Sequence, residues 1–142
     1  MAGLYYWHST RDIGHGPGVI ASQEPWQRRL PLGAGIDIAG FRLMPRADFR
    51  ATVRVLHRED YSSGPLAELV PTDFAVGWGP MSDSRVLTDI EISQSNRFYY
   101  WRTQSWPLSR QDIERHSANW HVIAANDAVR DALSRLRAGS LV

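Results

Sequence analysis

The chain has 142 residues, a formal net charge of +1, no cysteine and 43% hydrophobic residues, among them six Trp, five Tyr and four Phe. That length fits one domain, and that supply of rings excludes a disordered chain. The missing cysteine excludes disulfides and thiolate zinc sites, and the near-balanced charge argues against a dedicated non-specific nucleic-acid binder.

All 16 basic residues are Arg. A GC-rich coding sequence accounts for this, as does a use of planar guanidinium forks for bidentate or stacked contacts. No apolar run approaches the roughly 18–20 residues of a membrane span. Leu4–Trp7 (LYYW) is too short for a signal-peptide core and reads as a short strand. The chain as given reads as soluble, with its compartment open.

Residues 1–32 read as an irregular arm, broken by Gly14, Gly16, Pro17 and Gly18, wrapping the domain and pinned by its rings. Residues 33–142 read as the folded domain. Ile36–Pro45 predicts a hairpin turning at Ala39-Gly40. Asp48–His57 alternates over its whole length, with Phe49, Ala51, Val53, Val55 and His57 on one face, and predicts one half-buried antiparallel strand. Glu59–Leu66 predicts a polar loop. Pro71-Thr72-Asp73 predicts a helix start with Phe74, Ala75 and Trp78 as its apolar face. Ser82 or Asp83 is placed to cap a short helix carrying Val86, Leu87 and Ile90.

Ser93–Trp106, SQSNRFYYWRTQSW, holds five rings bracketed by Arg97 and Arg102. As one strand it puts Phe98, Tyr100 and Arg102 on one face and Arg97, Tyr99, Trp101 and Thr103 on the other. A central strand covered on both sides and a recognition surface are both consistent with it, because Tyr, Trp and Arg dominate binding hot spots. Parity ties Phe98 to Tyr100 and Tyr99 to Trp101, and one pair is expected to lie under the C-terminal helix.

Ser109 and Asp112 form a capping box with Asp in the acidic position. A strand is predicted over Trp120–Ala124. Asn126 then caps the best helix, Asp127–Ala138, with the stripe Val129, Ala132, Leu133 and Leu136 and Gly139 at C′. Ser140–Val142 reads as a strand beginning, either because the natural chain continues or because this end pairs with the sheet. Together these predict an α+β single domain, mainly antiparallel sheet with one longer C-terminal helix and several short helices.

For chemistry, His116 and His121 with Asn119 and Asp112 are the only catalytic candidates, and they lack the H-E-x-x-H spacing of a helix-borne zinc site. No G-x-S-x-G elbow serves Ser93, Ser95 or Ser117, and the Gly-rich loop at 14–18 lacks a phosphate-binding pattern. Asp89 and Glu91 read as solvated or Arg-paired. No metal site and no cofactor are expected. Arg42, Arg46, Arg50, Arg54 and Arg58 recur every fourth residue. Such a strip beside rings is how single strands of nucleic acid are held, though carboxylate pairing explains the same arginines.

The segments HSTRDIGHGPGV, RVLHREDYSSGPLAELVPTDFAVGWGPMSD, ISQSNRFYYWR and ERHSANWHVIAA resemble a widespread bacterial family of small proteins with no assigned function. The resemblance implies an exported or membrane-anchored parent and supplies no catalytic residues.

The leading expectation is a binding module whose site is Arg97, Tyr99, Trp101 and Arg102 together with the N-terminal arm, with a protein partner or self-association. The alternatives are a hydrolase, with or without metal, centred on His116 and His121, and, less favoured, single-stranded nucleic-acid binding.

Overall fold

The computed structural model describes residues 11–142. Leu4–Trp7 and His8 lie outside the described residues. The fold is α+β, with antiparallel pairing throughout its named strands. In chain order the elements are β1 (Trp26–Arg29), β2 (Ile36–Ile38), β3 (Phe41–Leu43), β4 (Ala47–Arg50), β5 (Arg54–Asp60), β6 (Thr72–Gly77), α1 (Ser84–Leu87), β7 (Glu91–Ser95), β8 (Phe98–Arg102), α2 (Arg110–Arg115), β9 (Ser117–His121) and α3 (Asp127–Ser134).

The centre is a three-stranded sheet in the order β5-β6-β9. Its middle strand, TDFAVG, is the segment expected to start a helix. A short apolar run does not by itself distinguish a buried strand from a buried helix face. Here neighbours on both sides make it a strand, and Asp73 through Gly77 are all buried. Gly77 is required: a Cβ there would lie 2.4 Å from the Met81 carbonyl oxygen and 3.0 Å from Leu56 Cδ1. The 3-10 turn Gly79–Ser82 can therefore fold back against β6.

The single strand expected over Asp48–His57 is two strands with different partners. β4 pairs with β1, whereas β5 pairs with β6. Between them Val53 exchanges two backbone hydrogen bonds with Val142, each 2.9 Å, so the chain end does pair with the sheet. The pairing of β5 slips between Val55 and His57, which is a β-bulge at Leu56. One extra residue reverses which face each later side chain takes. Val55 stays in the first core while Leu56 packs into the second, and His57 lies opposite Ala75 within reach of Gln94.

The two cores lie on opposite faces of the sheet. The first joins Val53, Val55, Phe74, Val76 and Trp78, covered in part by Leu133 and Leu136. The second joins Met81, Ile90 and Ile113, with Leu56 and Trp101 against it. Each fully buried aliphatic side chain stabilises by about 1.5–3 kcal/mol. The helix Asp127–Ala138 was expected to cover the aromatic run; its residues pack on the first core instead, and the second core lies beneath β8.

Both predicted caps form. Ser109 Oγ accepts from the Asp112 N–H at 3.0 Å and donates to Asp112 Oδ2 at 2.7 Å. Asn126 Oδ1 accepts from the Val129 N–H at 2.9 Å. Asp83, one of two residues expected to cap α1, accepts from the Arg85 N–H. α3 stops at Ser134, before Leu136, the last residue of the predicted stripe, and Arg58 Nη1 donates to the carbonyls of Leu133, Ser134 and Leu136 just there. The Leu133 carbonyl also accepts from the Leu136 N–H at 3.1 Å, so the last turn is tightened and Arg58 adds to it. Gly139, at φ +90, is thus no helix cap; it turns the chain into its pairing with β5, donating to the Val55 carbonyl at 2.8 Å. β9 begins three residues earlier than predicted, with Ser117 Oγ donating to the Ile113 carbonyl at 2.6 Å.

Residues 11–25 form a strap pinned by hydrogen bonds from its backbone; Tyr5, Tyr6 and Trp7, the arm's rings before Trp26, lie outside the described residues. The Ile13 N–H donates to the Ala138 carbonyl at 2.8 Å and the Gly18 N–H to Asp83 Oδ1 at 3.0 Å. Ile20 and Ala21 donate to Ser82 Oγ, at 3.2 and 3.1 Å. The arm is not irregular to residue 32, because Trp26–Arg29 is β1. The β2–β3 hairpin forms where expected, with Ala39 and Gly40 both at positive φ, 49° and 78°. Residues 22–50 make a two-stranded ribbon in which none is buried.

Candidate functional site

The aromatic run is a hairpin, β7–β8, and not one strand. Asn96 and Arg97 turn it at φ 50° and 70°. Both central residues of such a type I′ turn need positive φ, which suits Asn and Gly. Arg97 therefore does not share a strand face with Tyr99 and Trp101. An L-residue with a Cβ loses roughly 1–2 kcal/mol in this region.

What holds Arg97 there is a set of contacts to the sheet beneath. Its N–H donates to Tyr61 Oη at 2.9 Å, and its carbonyl accepts from Asn119 Nδ2 at 3.1 Å. The guanidinium lies 3.8 Å from the centre of the Tyr61 ring. Nη1 donates to the Val70 carbonyl at 2.8 Å and to Asp73 Oδ1 at 3.1 Å. Asp73 has no exposed surface. It also meets His121 Nδ1 at 2.9 Å, and its Oδ2 is buried without a hydrogen-bond partner.

The rest of the hairpin's inner face is fixed in the same way. Gln94 bridges His57 Nδ1 at 2.8 Å and Asn119 Oδ1 at 2.6 Å. Tyr99 Oη lies 3.0 Å from Ser117 Oγ, whose proton is spent on Ile113, so Tyr99 is the donor. Trp101 packs on the second core, meets Trp106 edge to face at 6.0 Å and carries the Arg110 guanidinium 5.5 Å above its ring.

Of the binding candidates, then, Arg97, Tyr99 and Trp101 face the body of the protein. Tyr99 and Trp101 are half-buried and Arg97 is engaged by four residues. Arg102 faces outward with Phe98 and Tyr100, the rings of the other parity, which are 64% and 50% exposed. Opposite them on β7 stand Ser95 and Ser93, too small to cover the rings. Arg102 Nη2 donates to Glu91 Oε2 at 2.6 Å, and this contact pushes the guanidinium pKa up. Glu91 is thus Arg-paired, as the sequence suggested. The sequence reading missed Asp73 altogether. Its signal was a lone carboxylate inside an apolar run, masked by an apparent helix cap.

The catalytic candidates divide. His116 precedes β9 and His121 ends it, about 16 Å apart at a strand's rise. His116 Nδ1 meets the Asp112 carbonyl at 2.7 Å and its Nε2 lies 3.4 Å from Glu24 Oε1. Asn119 and His121 belong to the network under the hairpin; Asp112 does not. Among the described residues no group of three or more His, Asp or Glu is gathered to hold a metal ion.

The five-arginine series forms no single strip. Arg42 pairs with Asp37, Arg50 lies over Trp26, Arg54 donates to the Ser82 carbonyl and Ser84 Oγ, and Arg58 pairs with Asp60. A cleft of about 1010 Å³ runs along β5 between α1–β7 and residues 134–139; Arg54 and Arg58 line it, and none of the binding or catalytic candidates does. No helix among the described residues is long and apolar enough to cross a membrane.

No protein-family model, no curated protein and no solved structure matches this chain.

Proposed function

We propose that the protein is a binding module that engages a protein partner through the outer face of the β7–β8 hairpin. One observation carries this reading: Phe98 and Tyr100 stay open on a hairpin whose other face is fixed to the sheet by Gln94, Arg97 and Tyr99. Rings on a rigid support lose little freedom when a partner covers them, and preorganisation of this kind raises affinity. Arg102 and Glu91 at one end supply a polar rim, the usual surround of a hydrophobic contact.

The experiment compares retention of partners by the immobilised wild-type chain and by Phe98→Ser/Tyr100→Ser. Both side chains are exposed, so the variant is expected to keep the wild-type melting temperature. Proteins held by the wild type and lost by the folded variant support the reading. An identical retained set overturns it.

A second reading, acid–base chemistry at His121, is favoured by the Asp73–His121 contact. A buried carboxylate on Nδ1 orients an imidazole and leaves Nε2 to take a proton, as in hydrolytic triads. The reading no longer includes His116 or Asp112. Its test is hydrolysis of an activated ester by wild type and His121→Ala; equal rates reject it.

A further inference from the structure

The cleft along β5 is framed by long-range contacts. Residues 134–139 are held beside β5 by the three carbonyls that Arg58 Nη1 serves and by the Gly139 N–H on the Val55 carbonyl. The bulge turns Leu56 toward the second core, where Leu87 and Ile92 join it from α1 and β7. All three side chains are half-buried, and all three line the cleft. Its volume, about 1010 Å³, stands at the upper end of the roughly 300–1,000 Å³ of small-molecule sites. The stretch Arg54–Arg58 along its floor is about 13 Å long at a strand's rise.

Charge decides what such a cleft selects. Four arginines line it, Arg54, Arg58, Arg135 and Arg137, against two carboxylates, Asp12 and Asp60. Asp60 is taken by Arg58 and by the Thr72 hydroxyl. Arg54 is half-buried, and its Nη1 donates to neutral oxygens, the Ser82 carbonyl at 3.0 Å and Ser84 Oγ at 2.9 Å. The carboxylate that acts on it, Asp83, is itself engaged by Arg85 and the Gly18 N–H. Burial accordingly lowers the Arg54 pKa more than Asp83 raises it. Nε and Nη2 of Arg54 make no hydrogen bond among the described residues. A cation drawn out of water without a carboxylate on it is costly, and an anion in the cleft gives it a counter-charge.

The walls narrow the class of anion. A small inorganic anion fills a fraction of the volume and leaves Leu56, Leu87 and Ile92 facing water. A nucleic-acid strand is held by stacking on rings, and no Phe, Tyr or Trp lines the cleft. We infer that the cleft is a binding site for an aliphatic carboxylate, whose chain lies along Leu56, Leu87 and Ile92 and whose head sits on the open donors of Arg54. Arg135, at the other wall, adds to the positive field that draws it in. The site is independent of the hairpin face, because neither Phe98 nor Tyr100 lines it.

Proton–nitrogen NMR titration of the full chain with octanoate gives both the affinity and the place. A dissociation constant on the order of 0.1–1 mM is expected, with the largest shifts at the amides of Leu56, Leu87 and Ile92. Hexanoate, shorter by two CH₂ groups, should bind about 5- to 15-fold more weakly. Octanol, with the same chain and no charge, should bind about tenfold more weakly. Arg54→Gln should abolish that preference for octanoate. Arg135→Gln, an exposed change, should weaken octanoate about two- to threefold at low salt and leave octanol alone. It decides the matter should Arg54→Gln lose the folded spectrum. Octanoate that shifts no amide up to about 10 mM overturns the inference, as do shifts centred away from the cleft. Octanol binding as tightly as octanoate overturns it too, as does a preference for octanoate that neither variant reduces.

Discussion

Arg97→Ala tests the hairpin's attachment most directly. The change leaves the Asp73 carboxylate, which has no exposed surface, with His121 alone and one oxygen still unpartnered. Removing one partner of a buried ion pair costs about 3–5 kcal/mol. The Arg97 side chain is 23% exposed, so the lower part of that range applies. Loss of the guanidinium from the Tyr61 ring adds roughly 0.5–1 kcal/mol. Ala retains the strain of a positive φ, so nothing is recovered from the backbone. The expected loss is about 3–4 kcal/mol, against a total stability on the order of 5–15 kcal/mol for a domain. Arg97→Gly removes the same side chain but suits the turn, and should be about 1 kcal/mol less damaging. Urea unfolding followed by tryptophan fluorescence measures all three proteins. In a double-mutant cycle with Asp73→Asn, the pair should show about 2 kcal/mol of coupling, because the buried charge disappears with its partner. An Arg97→Ala loss under about 1 kcal/mol, or strict additivity in the cycle, would refute the account given of the buried pair.

Three further outcomes are expected. The Asp83 carboxyl is held well below the usual range by the Arg85 side chain, then by the N–H groups of Gly18 and Arg85. A depressed folded-state pKa stabilises above the unfolded value and is lost as pH falls through the folded one, so Asp83→Asn should flatten the decline of stability with acid below about pH 4. Gly77→Ala drives a Cβ toward the Met81 carbonyl and should cost about 1–3 kcal/mol or more in urea unfolding. Gly139→Ala combines a positive φ with a Cβ placed 2.0 Å from the Ile13 carbonyl oxygen; hydrogen exchange at the Ile13 amide should accelerate before global unfolding.

Local chemistry was the legible part of the sequence. Ser109, Asn126 and the Ala39-Gly40 turn act within a few residues, and each did what its type and spacing dictate. The fold class followed from the same signals. Several of the failures are cases where a distant partner decided. TDFAVG is a strand because β5 and β9 flank it. The alternation of Asp48–His57 breaks because Val53 meets Val142 and Leu56 bulges. α3 ends before Leu136, where Arg58, some 75 residues upstream, donates to the carbonyls of Leu133, Ser134 and Leu136. For the site, parity correctly tied Phe98 to Tyr100 and Tyr99 to Trp101. It could not name the outward pair, because that depends on which side of the hairpin the sheet lies. Nor does a run of rings announce that Asn96-Arg97 is a turn, since Arg is a poor residue for one.

The attachment of Arg97 also bears on the order of folding. A type I′ turn led by Asn-Gly can close at once from local preference, whereas Asn96-Arg97 begins at a disadvantage. Its compensation comes from Tyr61, Val70, Asp73 and Asn119, residues from three separate regions of the chain. Those groups are in place only once β5, β6 and β9 have assembled. The hairpin that displays Phe98 and Tyr100 is therefore expected to set after that sheet, with φ-values near zero while those of β6 are high. Changes within it should speed unfolding and leave the refolding rate almost untouched.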